Sequence, residues 1–208
     1  RFAHRSNAKL FGGLSNVEVG EEYTTLFMPA RWAFAIWGVI YVGEVCAYGK
    51  ILMGDAPAAL DAAAPFLIAA NVCQLLWALA FCFERLVVST LLMIGLAISM
   101  VIAALETYGA DPVFSVPISL HAGWVCAALL LNVNLANVQL KTGGDATTRQ
   151  AIDLTLVFGS LYGATIIGAG VIALSGNVIL PLSIIWALVA IGVEAPNSPA
   201  GAKYTRAA

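Results

Sequence analysis

Six apolar stretches, each about as long as a bilayer's hydrocarbon core is thick, dictate what this chain can fold into. They cover residues 30–48, 65–83, 86–105, 113–138, 152–174 and 178–193, and a spanning helix needs roughly 20 mostly apolar residues. The last is short and carries Pro181 near its start. Between them lie turn and breaker signals: 49–57, Glu84-Arg85, Gly109 to Pro112, 141–145 with Gly143-Gly144, and Ser175-Gly176-Asn177. Pro65 and Pro112 are read as first-turn prolines, where a missing N–H costs nothing. Alternating ten-residue patterns are absent, which argues against a β-barrel. The expected fold is an all-α, polytopic transmembrane bundle of six spans, or of five if the short last stretch does not cross. It has a polar N-terminal tail (1–28), a helical domain (29–194) and a polar C-terminal tail (195–208).

Composition agrees. Hydrophobic residues make up 61% of the 208, charged residues 11%, and mean hydropathy is +0.89. A soluble domain is about 45–50% apolar and about 25% charged, and a globule of this size cannot hide the excess. A net charge of −2 offers no basic field, so nucleic acid is not an expected partner. Of the ten Lys and Arg residues, six spans place all but Lys50 on one side. Positive charge stays on the cytoplasmic or stromal side during insertion, so both termini are expected there.

Arg1, His4, Arg5 and Lys9 precede the first acid, Glu18. That pattern is what a basic, acid-poor organelle-targeting peptide leaves behind, or else an arbitrary start. The two polar tails have nothing obvious to bury, and a partner surface is one way to hold them. Cys46, Cys73, Cys82 and Cys126 all fall inside spans without metal-ligand spacing and read as small hydrophobes. No Ser/His/Asp, HExxH, phosphate-loop or EF-hand pattern is present. A proton-transfer mechanism would need a titratable group beyond Glu44 and His121, so no enzymatic activity is expected.

Function is carried by stripes. Phe34, Trp37, Tyr41, Glu44 and Tyr48 recur at spacings of three and four and share one helix face. Interfacial anchoring accounts for Trp32 and Tyr48 but not for the more central Trp37 and Tyr41; helix packing by aromatics is the plain alternative. Glu44 within a span should face a partner or cavity, or snorkel to the interface. Asn71, Gln74, Trp77 or Ala78, and Phe81 align on the second span, where amides also serve as packing glue. His121, Trp124, Ala128 and Asn132 align on the fourth. His121 lies toward the same end as Glu44, so the two can form a charge-assisted hydrogen bond. Alternatively His121, Glu44, Asn71 or Gln74 ligates the metal of a tetrapyrrole. On the fifth span Gly159 and Gly163 form a GxxxG extended by Ala164 and Gly168, which reads as packing against the sixth span or another subunit.

The run Met28-Pro29-Ala30-Arg31-Trp32-Ala33-Phe34-Ala35-Ile36-Trp37-Gly38-Val39-Ile40-Tyr41 resembles the tryptophan-rich sensory protein / translocator protein family, in which Pro-Gly-Trp-x-Phe leads into Trp-x-x-x-Tyr. Gln74-Leu75-Leu76-Trp77 with Phe81 is similar to its Asn-x-x-Trp helix, with Gln replacing Asn. Trp124-x-x-x-Ala128-x-x-Leu131-Asn132 matches its closing helix, and Pro117 to Trp124 looks more like the plant and algal relatives. The matching motifs span 29–139. The family's first helix has no hydrophobic counterpart, two spans follow the matched region, and the Phe34–Trp37 interval is one residue shorter than in bacterial members. One of the added spans is available to replace the missing helix.

The resemblance implies a five-helix membrane protein that binds porphyrins and sterol-like or isoprenoid ligands. Carried over by position, the ligand-facing residues are Trp37, Tyr41, Gln74, Trp77, Trp124 and Asn132, with Phe34 added from its stripe. The leading expectation is a non-enzymatic protein holding a tetrapyrrole (porphyrin or chlorophyll) or a similar apolar small molecule, with lipids or a carotenoid as further ligands. The second is an accessory, pigment-binding subunit of an algal photosystem or antenna in the plastid thylakoid, in contact with other membrane subunits. A small secondary transporter ranks last, since no internal repeat is evident.

Overall fold

The computed structural model describes residues 13, 16–140, 145–198 and 201. Of the expectations above, those resting on Arg1, His4, Arg5 and Lys9, on 141–144 and on the end of the C-terminal tail lie outside the described residues. Described elements are α1 (Asn16–Glu22), a 3₁₀ turn (Arg31–Ala35) running into α2 (Ile36–Leu52), α3 (Ala59–Cys82), α4 (Leu86–Thr107), α5 (Pro112–Leu140), α6 (Ala146–Ser175) and α7 (Ile179–Glu194). A short 3₁₀ segment (Ala195–Asn197) follows. Among the described residues there is no strand, and six helices are long and apolar enough to cross a membrane.

Pro112 opens α5, the axis of the bundle, where its missing N–H leaves no carbonyl unpaired. Two thirds of α5's apolar window is buried (67%), against 17% for the span containing α2 and 11% for α3. On one flank α4 lies between α3 and α5. There Met93, Leu96, Ala97, Met100, Ala103 and Ala104 interleave with Ala63, Ala70, Ile118, Ala122, Val125 and Cys126. On the other flank α2 and α7 meet α5: Ala30, Ala33, Ile36 and Ile40 pack with Trp124, Ala127, Ala187 and Ala190. Small residues permit this, since without a hydrophobic force between helices close backbone approach supplies the dispersion energy. A Cβ on Gly123 would run into the Leu180 carbonyl, and one on Gly43 would sit 2.8 Å from Pro117 Cβ.

Two helices begin earlier than hydropathy suggests. α3 starts at Ala59, so Pro65 sits inside the helix rather than at its start. α6 starts at Ala146, where the Asp145 side chain caps Thr148 N at 2.7 Å. That bond holds the Asp145 carboxyl below its usual range. The early turns of α3 stay in the bundle, with Ala63 fully buried, whereas the first turn of α6 is exposed. The GxxxG reading also shifts in register. Buried residues of α6 are Ser160, Ala164, Gly168 and Val171, Gly168 meets Pro181 of α7, and Gly159 faces open space.

Residues 16–28, expected within a polar tail, fold against the bundle. Val19 of α1 is fully buried with Phe81, Leu86, Leu135 and Ala136. Tyr23 donates its hydroxyl to Glu84 Oε1 at 3.0 Å, and Gln139 donates to the Glu84 carbonyl. Arg31 pairs with Glu21. At the opposite end Lys50 bridges Asp111 (2.5 Å) and Asp55 (3.0 Å), holding the Asp111 carboxyl below its usual range.

Candidate functional site

A cavity of about 420 Å³ opens among α2, α3 and α5, capped at one end by Gly20 of α1 with Met28 and Pro29. Phe34, Trp37, Tyr41, Gln74, Trp77, Trp124 and Asn132, the seven residues expected to face a ligand, all line it. The reason is local. α3 packs on α4 and α2 packs on α5, so the facing sides of α2 and α3 bear no close helix contact, and their large rings hold the gap open. Across the gap Gln74 Nε2 reaches the Tyr41 hydroxyl at 3.5 Å, at the limit of a hydrogen bond.

The rings are ordered by one another. Trp37 stacks on Tyr41 (centroids 5.0 Å, interplanar 20°) and meets Trp124 edge-on at 6.2 Å. Phe34 also meets Trp124 edge-on, at 5.6 Å. Such offset and edge-to-face pairs satisfy the ring quadrupoles. Trp124 is 4% exposed, whereas Tyr41 and Phe34 are 45% and 41% exposed, so the cavity is deep at Trp124 and opens sideways at Tyr41. Asn132 is buried, and its polar groups are already used. Its Oδ1 accepts from Ser89 Oγ (2.6 Å) and Trp77 Nε1 (3.3 Å), and its Nδ2 donates to the Ala128 carbonyl (3.0 Å). Asn132 therefore fixes the Trp77 indole in place rather than offering a polar handle of its own.

Residues that the sequence reading did not single out complete the walls. Met93 and Leu96 come from α4, Ala187 and Ile191 from α7. None carries a distinctive signal; the alanine and the aliphatic side chains look like ordinary span residues until a neighbour's position is known. α7 is held at the start of the first span by the Trp186 indole, which donates to the Ala33 carbonyl (2.9 Å), by Trp32 edge-on to Trp186 (4.8 Å) and by Ala30 N bonding the Ala190 carbonyl (3.1 Å). The sixth span thus closes one wall of the cavity.

Of the four residues considered for metal ligation, Gln74 lines this cavity and His121, Glu44 and Asn71 lie elsewhere. Glu44 and Asn71 line a second cavity of about 230 Å³, one to two turns along the same seam. Asn71 was expected to share the face of Gln74 and Trp77; one turn of rise carries it past the Tyr41–Gln74 contact. His121 Nδ1 lies 2.7 Å from Glu44 Oε1, the meeting that their placement implied, and the ring is edge-on to Trp37 at 5.3 Å. A macrocycle in the larger cavity fits its aromatic lining but has no axial ligand in His121, Glu44 or Asn71. Among the described residues no group of three or more His, Cys, Asp or Glu is placed to hold a metal ion, and the four cysteines are unbridged.

No curated protein and no solved structure matches the chain. A family model described as TSPO-like protein matches residues 3–205. That span runs well beyond the 29–139 motif region and takes in the two C-terminal helices. With nearly the whole chain matched and an apolar six-helix bundle beneath it, the protein belongs to the TSPO-like family and is an integral membrane protein.

Proposed function

We propose that the protein is a non-enzymatic membrane receptor that holds a tetrapyrrole, a porphyrin- or chlorophyll-like macrocycle, in the larger cavity. One observation carries the reading: seven residues selected from three separate helix stripes converge on one cavity. Its volume of about 420 Å³ lies within the roughly 300–1,000 Å³ of small-molecule sites. Trp37, Trp77 and Trp124 provide faces and edges for a flat apolar ring, and Tyr41 with Gln74 offers polar groups at the open side. Bound there, the macrocycle would supply a strongly absorbing, planar apolar surface. The opening between α2 and α3 faces the hydrocarbon, so an apolar ligand reaches the site from the bilayer. The positive-inside distribution supports an orientation with the α1 end on the cytoplasmic or stromal side.

The test is a porphyrin titration of the purified protein. Expected are a shifted Soret band and saturable quenching of tryptophan fluorescence at one site per chain. The combined Trp37→Ala and Trp124→Ala variant should weaken binding about a hundredfold, given the area and ring contacts removed. Unchanged binding in that variant, or quenching that rises linearly without saturating, contradicts the proposal.

A further inference from the structure

We infer that the smaller cavity is a second, separate binding site, for an apolar molecule bearing a protonated amine. It shares no lining residue with the larger cavity. Most of its wall is aliphatic or aromatic, including Leu67, Ile68, Phe114 and Ile118, and its polar groups are the Glu44 carboxylate, the Asn71 amide and the Tyr48 hydroxyl, all three able to accept a hydrogen bond. Asn71 directs one Nδ2 hydrogen to the Leu67 carbonyl (2.9 Å), and its Oδ1 can accept from a donor in the cavity. Glu44 brings a carboxylate, 23% exposed, into a membrane span.

The state of His121 decides the charge of this site. The His121 side chain is 6% exposed, and among the described residues no hydrogen-bond partner reaches its Nε2. A second proton on Nε2 would bury an unmet N–H, whereas a ring protonated on Nδ1 alone leaves only a lone pair unmet. We assign the latter from this network. Nδ1 then donates to Glu44, and the pair keeps the carboxylate's negative charge. The nearby Lys50 is already engaged by Asp55 and Asp111. An uncompensated anion in a low-dielectric cavity favours a cation that can donate, and an ammonium on an apolar body meets both the charge and the wall.

The probe pair is 1-aminoadamantane and 1-adamantanol, which share a body and differ in charge. Both are titrated by calorimetry into the protein in zwitterionic nanodiscs, with empty nanodiscs subtracted. The amine should bind at least about tenfold more tightly than the alcohol, as expected for a charge-assisted bond to a buried carboxylate. That preference should vanish in Glu44→Gln, and amine binding should persist under saturating porphyrin. Equal affinity for the two probes, or a preference that survives Glu44→Gln, overturns the site. Displacement by porphyrin overturns its separateness without touching the macrocycle reading. Should Glu44→Gln fail to fold, Asn71→Leu carries the test: severalfold weaker amine binding supports the site, and unchanged binding overturns it.

Discussion

The two flanks of α5 are built from the same stock of apolar residues yet do opposite things. Toward α4, methionine and alanine interleave and exclude space: α4 buries Ala97, Met100, Ala103 and Ala104 there. Toward α2, only Ile36, Ile40 and Ala47 are buried, and the indole and phenol rings stand in the gap between α2 and α3. Side-chain size explains the contrast. Small and flexible residues let backbones close until dispersion contacts are complete, whereas rigid rings on facing helices prop them apart. A packed flank gives the bundle its stability, and the propped flank gives it two cavities.

That contrast can be broken most severely at Gly123, whose backbone is pressed against the Leu180 carbonyl. Gly123→Val should push α7 off α5 and cost about 3 kcal/mol, the upper end of ordinary overpacking; a lowered melting temperature and aggregation on size exclusion would report it. Next is Asn132, the point where the packed flank reaches across to the open one. Asn132→Leu removes the anchor shared by Ser89 and Trp77, at a cost of about 1 kcal/mol. It should loosen porphyrin binding by freeing the indole, which calorimetric stability and the fluorescence titration would read together.

Smaller effects sharpen the contrast. Gln74→Leu removes only the 3.5 Å contact over the seam. Stability should change by less than about 0.5 kcal/mol, while the association rate of porphyrin changes measurably in stopped-flow quenching. The smallest effect is at the far end, where the bond from Lys50 holds Asp111 below its usual carboxylate range. A depressed carboxyl contributes stability above its unfolded value and loses it as pH falls through the folded one, so unfolding should be eased below about pH 4. Asp111→Asn should flatten that acid limb in a pH series of melting temperatures.

Much of this was legible in the chain. Hydropathy is a one-dimensional signal, so all six spans are readable, but it marks where lipid is rather than where hydrogen bonding stops. Hence the Ala59–Ala64 turns of α3, which carry Ala63 into the core, and the exposed Asp145-capped first turn of α6 lie beyond the apolar stretches. The aromatic stripes were readable because a three-four spacing fixes one face of a helix. Whether a face meets lipid or a gap depends on the neighbours, so Ala187, Ile191 and Gly20 could not be assigned to the site from sequence. Asn71 shows the finer difficulty. It lies three residues from Gln74 and close to it in angle, yet about 4.5 Å along the axis places it in the other cavity.

The most direct measurement of the central claim is a crystal structure of the protein grown with a porphyrin. The account predicts the macrocycle between α2, α3 and α5, within van der Waals contact of Trp37, Trp77 and Trp124, entering from the Tyr41–Gln74 side. A macrocycle found on an outer, lipid-facing surface, with those three indoles touching only protein, would contradict it.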